Sequence, residues 1–160
     1  MSSLISYGTG TAPDEADEPA TITNNGFWPD IDPANFRVVE RLDSSVTAER
    51  ISHSLQISIS EVNSQLGAWQ ARQGAEGHES HEAVPAPSWA IGDHYKTLYL
   101  RAVYATARAT LLERYRDHSA TPAGDAAGQA KVEAADDYRR DARWAVSDIE
   151  GRTRTTVELI

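Results

Sequence analysis

The sequence predicts an all-α fold, a small bundle of three long helices and one short helix with an extended arm at each end. Three observations predict it. Apolar residues recur at steps of three and four over long stretches, which places them on single helical faces. Pro and Gly cluster between these stretches. Capping residues stand where two of the periodic stretches begin.

Residues 1–26 are rich in Ser, Thr, Gly, Pro and acid, with Asp14, Glu15, Asp17 and Glu18 clustered. That composition buries too little apolar surface to offset the entropy of ordering, so a flexible acidic arm is expected. The peptide Gly26-Phe27-Trp28-Pro29-Asp30-Ile31-Asp32-Pro33 follows. Pro29 and Pro33 each lack an N–H and disfavour helix in the residue before them, so the peptide is extended. With two aromatics and few apolar neighbours, it needs a surface to dock on, in its own domain or in another molecule. A short helix begins at Asp32, an N-cap with proline at the first helical position, and runs to Glu40.

Thr47 caps the second helix, and Glu49 sits in its first turn, where the helix dipole favours a negative charge. Ile51, Leu55, Ile59, Val62, Leu66 and Trp69 form its apolar stripe, which outweighs the strand-like alternation Ile57-Ser58-Ile59. Gly74 and Gly77 end it, and residues 73–88 read as a solvated polar loop. The third helix is expected from about Gly92 to Arg116. Its narrow stripe of Tyr95, Leu98, Ala102, Ala105, Ala109 and Leu112 permits close packing, and Tyr99, Val103 and Leu111 widen it. Residues 121–125 (Thr-Pro-Ala-Gly-Asp) read as a break. The last helix is expected from about Ala126 to Glu150, with Val132, Ala135, Ala142, Ala145, Val146 and Ile149 on one face and Gly151 as its stop. The chain thus divides into an arm (1–26), a helical domain (27–151) and an extended tail (152–160).

A chain of 160 residues suits one domain of ordinary size, and 40% hydrophobic residues suffice for a modest core. There is no cysteine, which excludes disulfides and thiolate metal sites. No run approaches a membrane span and the N-terminus lacks a signal-peptide pattern, so a soluble protein made in the cytoplasm is expected. With 15 basic against 24 acidic residues, the net charge of −9 argues against wrapping duplex DNA.

Little points to catalysis. His78 and His81 beside Glu79 and Glu82 invite a metal, but they fall in a Gly-rich loop with no further converging ligands. Asp30 and Asp32 have no nucleophile or cofactor loop nearby and are better explained as turn and capping groups. No phosphate-binding loop, nucleophile elbow or metalloprotease helix is present. No enzyme activity and no cofactor are expected. Arg139, Arg140 and Arg143 share a helix with Asp136, Asp137, Asp141 and Asp148, at spacings that allow intrahelical ion pairs. Repeated around an oligomer, the same charges could bridge neighbouring copies. Trp144 among them reads as half-buried on its own helix, yet Trp beside Arg is also the composition of binding hot spots.

Three blocks carry a family resemblance in the same order and spacing: residues 27–33 (Phe-Trp-Pro-Asp-Ile-Asp-Pro), residues 111–116 (Leu-Leu-Glu-Arg-Tyr-Arg), and residues 140–146 (Arg-Asp-Ala-Arg-Trp-Ala-Val) with Ile149, Gly151 and Arg152. From about residue 20 onward the chain resembles the head-completion proteins of temperate contractile-tailed bacteriophages. The resemblance implies a virion protein of the head–tail junction that assembles in the host cytoplasm. It would form a homo-dodecameric ring beneath the portal protein after DNA packaging, retain the genome and present a surface to a tail terminator or neck protein. DNA would pass through the lumen without sequence-specific binding, as an acidic wall allows. Phe27, Trp28 and Ile31, reaching across to an adjacent copy, and Arg140, Arg143 and Trp144 are the implied subunit contacts. Arg152, Arg154, Thr156, Val157, Leu159 and Ile160 are the implied portal contacts, with the tail adding backbone hydrogen bonds to a portal strand or cleft. The alternative is a soluble packaging accessory that binds terminase or DNA.

Overall fold

The computed structural model describes residues 19–114 and 122–152. It contains four helices, α1 (Pro33–Val39), α2 (Ala48–Ala75), α3 (His94–Arg114) and α4 (Pro122–Ile149), and among the described residues no strand beyond one antiparallel bridge between Ile22 and Ile31. The fold is all-α.

The helix starts follow local chemistry. The Asp32 side chain accepts from the Ala34 N–H with Pro33 in the first turn, and the Thr47 side chain accepts from the Arg50 N–H. α3 starts two residues later than the sequence suggests because Asp93 sits in the left-handed region (φ 57°), where a helix cannot continue. α4 starts earlier: Pro122, Ala123, Gly124 and Asp125 are its first turn rather than a break. Proline at a helix start loses no hydrogen bond, since the first N–H groups have no intrahelical partner.

Three helices end alike. Gly77 (φ 92°) and Gly151 (φ 68°) turn the chain out of α2 and α4, and the His78 and Arg152 N–H groups reach back to the Gln73 and Ser147 carbonyls. α1 closes in the same way at Arg41 (φ 51°), with the Leu42 N–H bonded to the Arg37 carbonyl. A left-handed arginine costs about 1–2 kcal/mol, which burial of the Leu42 side chain offsets.

α3 is the spine. It packs along α4 on one side and α2 on another, while α2 and α4 scarcely meet. Consequently α3 is buried almost all round its middle: Tyr99, Ala102 to Ala107, Ala109 and Leu111 are inside. The stripe read from the sequence covers only part of this, and Tyr95, Leu98 and Leu112 are half-buried. On α4 the expected face holds, with Ala135, Ala142, Ala145, Val146 and Ile149 buried and Val132 half-buried.

Two expectations need correction. The expected arm boundary at residue 26 falls too late, because Ile22 to Gly26 are tied into the domain by the Ile22–Ile31 bridge and by the hydrogen bonds of Asn24 and Asn25; residues 1–18 lie outside the described part. The 73–88 loop is not wholly solvated either. His81 and Val84 are buried, and the His81 ring lies against Trp28.

Candidate functional site

The aromatic peptide docks on its own domain. Phe27, Trp28 and Ile31 are 6%, 2% and 0% exposed, which corrects the expectation that they clamp an adjacent copy. The cause is a receptor assembled from residues far away in sequence. Trp28 stacks on Tyr99 of α3 (4.5 Å between rings, 8° between planes) and lies near-parallel to Trp69 of α2 (5.6 Å) and His81 of the loop (6.0 Å). Phe27 meets Trp28 and Trp69 edge-on. These offset and edge contacts are the arrangements that aromatic quadrupoles favour.

Polar groups fix the peptide's path. Asn25 Oδ1 accepts from the Phe27 and Trp28 N–H groups, which shapes the turn. The Phe27 carbonyl accepts from the His81 backbone N–H (3.0 Å) and from His81 Nδ1 (2.7 Å). A carbonyl can only accept, so Nδ1 carries the proton. Asn24 Nδ2 donates to Tyr99 Oη (2.8 Å), Tyr99 Oη to Asn63 Oδ1 (2.7 Å), and Asn63 Nδ2 back to Asn24 Oδ1 (2.9 Å). The three side chains form a closed ring of donors and acceptors, in which each bond polarises the next.

Tyr99→Phe is therefore expected to cost about 1–2 kcal/mol, the loss of two neutral hydrogen bonds at a buried site. Burial pushes the Tyr99 hydroxyl up from 10.0 to about 12. The folded state then holds a proton that the unfolded state releases, so stability falls as pH rises from about 10 towards 12. Urea titrations should show Tyr99→Phe with a lower midpoint at neutral pH and a shallower alkaline decline. An unchanged neutral midpoint would discard the ring as a stabilising unit.

The second group of expected contacts lies on the surface. Arg140 is 5.2 Å above the Trp144 ring and pairs with Asp137 at 2.8 Å, and Trp144 is 37% exposed. Arg143 is exposed on another flank of α4, beside a groove between α4 and α2. Other charges of α4 pair across to α3. Arg101 of α3 binds Asp141 and Asp148, and Arg139 binds Glu113 through two bonds of 3.0 and 2.6 Å, so they lock the α3–α4 hairpin. Arg152 is exposed and pairs with Glu150. Arg154, Thr156, Val157, Leu159 and Ile160 lie outside the described residues.

Periodicity passes over one surface feature. Pro85 and Pro87 lead into a short loop that carries Trp89 and Ile91, 77% and 82% exposed. The loop is fixed by a turn between Pro87 and Ala90 and by the edge-on contact of Trp89 with His94. Val38 and Val39 at the end of α1 are also exposed. The signal in the sequence is a tryptophan and an isoleucine outside any helical stripe. Among the described residues no cluster of His, Asp and Glu could hold a metal ion, and no helix is long and apolar enough to cross a membrane.

Comparison with known proteins places the chain in a family. No solved structure matches the chain. It is 35% identical to the head completion/stabilization protein of Escherichia phage P2, over 96% of this chain and 90% of that protein. It is 28% identical to the probable head completion/stabilization protein of Haemophilus phage HP1 (strain HP1c1), over 61% of this chain and 65% of that one. The model of the phage head completion protein family (GPL) matches residues 22–160, starting at the residue where the chain joins the domain through the Ile22–Ile31 bridge. The chain belongs to the phage head completion protein family.

Proposed function

We propose that this protein completes the phage head as a connector, a ring of copies beneath the portal that retains the packaged genome and receives the tail. The observation that carries the reading is the exposure of Trp89 and Ile91 on a pinned loop, in a chain matched by the head-completion family along almost its whole length. Large apolar groups held rigidly in solvent favour protein contacts, because little side-chain entropy is lost when they are covered. With Phe27, Trp28 and Ile31 committed to the core, the ring contacts fall to Trp89 and Ile91, with Val38, Val39 and the Arg140–Trp144 pair beside them. A ring needs two different surfaces on each copy, and these groups lie at separate places on the chain. The portal contact is assigned to the segment after Gly151, with Arg152 at its start.

The test uses phage particles. Reconstruction of purified particles should find the chain at the head–tail junction. The double variant Trp89→Asp/Ile91→Asp should remain folded yet leave packaged DNA open to nuclease. A chain missing from finished particles overturns the connector reading. Normal head completion by the double variant removes Trp89 and Ile91 from the ring contact.

A further inference from the structure

Between α2 and α4 a groove of about 280 Å³ runs over the buried middle of α3. Val62, Ala142 and Val146 form its apolar floor together with Thr106, Arg139 and Arg143 stand along its α4 rim, and Glu61 and Gln65 along its α2 rim. Arg139 is bound to Glu113, whereas Arg143 makes no ion pair among the described residues. An apolar floor with arginines on its α4 rim suits an extended peptide that alternates aliphatic and acidic side chains and turns its acid towards α4, away from Glu61, since neighbouring residues of an extended chain point to opposite faces.

The chain itself carries such a peptide. Val157-Glu158-Leu159 alternates aliphatic, acidic and aliphatic residues, a few positions beyond the end of α4. The left-handed turn at Gly151 takes the chain out of the helix axis before this segment begins. Reach permits a return. Arg143 lies about 13 Å back along α4 from residue 152 at 1.5 Å per residue. Five further residues, 153–157, span up to about 17 Å when extended.

We propose that in the free protein the groove holds the chain's own Val157–Leu159 segment, with Val157 and Leu159 on the floor and Glu158 paired with Arg143. The groove is thus a peptide-binding site within the same copy. It keeps the aliphatic end of the chain covered until a competing partner takes it. Nothing in this inference depends on the ring or the portal, and its test needs neither.

Backbone amide exchange in the isolated full-length protein, followed residue by residue by NMR, tests it. Amides of residues 157–159 should exchange at least ten-fold more slowly than in an unstructured peptide. Arg143→Glu should abolish that protection, and Arg143→Glu with Glu158→Arg should restore it. Free-peptide rates in the wild-type protein overturn the proposal, and so does protection indifferent to Arg143→Glu. Protection should be independent of protein concentration. Protection that grows with concentration would put the tail on a second copy and would also overturn it.

Discussion

Trp28→Ala is expected to be the most damaging single substitution outside the helices, at about 3–5 kcal/mol, the usual cost of truncating a buried large aromatic. For a domain whose whole stability is about 5–15 kcal/mol, that is enough to leave much of it unfolded. The size follows from position. Trp28 lies within stacking distance of Tyr99, Trp69 and His81, one group each from α3, α2 and the loop, and is 2% exposed. Its removal opens a void that none of these can fill without leaving the others. Trp28→Phe separates shape from polarity. Trp28 Nε1 is buried with no hydrogen-bond partner among the described residues. Phenylalanine keeps a stacking ring and removes an unsatisfied donor that costs about 1–3 kcal/mol. It should therefore lose much less than alanine does. Calorimetric melting of both variants checks this, and equal losses would show that area alone matters at this site.

The same residue shows how far a sequence can be read. Two prolines and two carboxylates around a pair of aromatics rule out a helix and require a docking surface. They do not say whose surface. That depends on Trp69, His81 and Tyr99 coming together from three separate segments, and periodicity places each only on its own helix or loop. His81 shows the difficulty most clearly. In a run of Gly, His and Glu it reads as solvated, yet its ring covers Trp28 and its Nδ1 holds the Phe27 carbonyl. The ring of Asn24, Tyr99 and Asn63 was hidden for the same reason, because a three-way hydrogen-bond pattern leaves no spacing rule. Helices with one buried face were legible: the α4 stripe matches the buried face. The α3 reading fell short because a central helix is covered from several sides, so no single stripe describes it. Charges followed the same logic. Arg101–Asp141 and Arg139–Glu113 join two helices, where sequence spacing suggests pairs within one.

Ala107→Leu should carry the next largest effect, and it tests whether α3 owes its place to small residues. Ala107 is fully buried, and its carbonyl accepts from Ser54 Oγ of α2 at 2.9 Å. A serine hydroxyl that reaches a main-chain carbonyl of another helix requires the two backbones to lie close, which a large side chain at residue 107 prevents. Three added carbon atoms force α2 outward at a cost of about 1–3 kcal/mol. The lost Ser54 bond adds about 1 kcal/mol, because a buried hydroxyl is then left without its acceptor. Ser54→Ala alone removes the bond without overfilling the contact, and should cost about 1 kcal/mol. If the bond breaks because the helices separate, the two changes are coupled. Ala107→Leu should then cost about 1 kcal/mol less in the Ser54→Ala background than in the wild type. Urea unfolding of the four proteins of this cycle measures the coupling directly. Strict additivity would mean that α2 and α3 keep their spacing and that the leucine is taken up elsewhere. Wild-type stability of Ala107→Leu would remove close packing as the reason for alanine at this position.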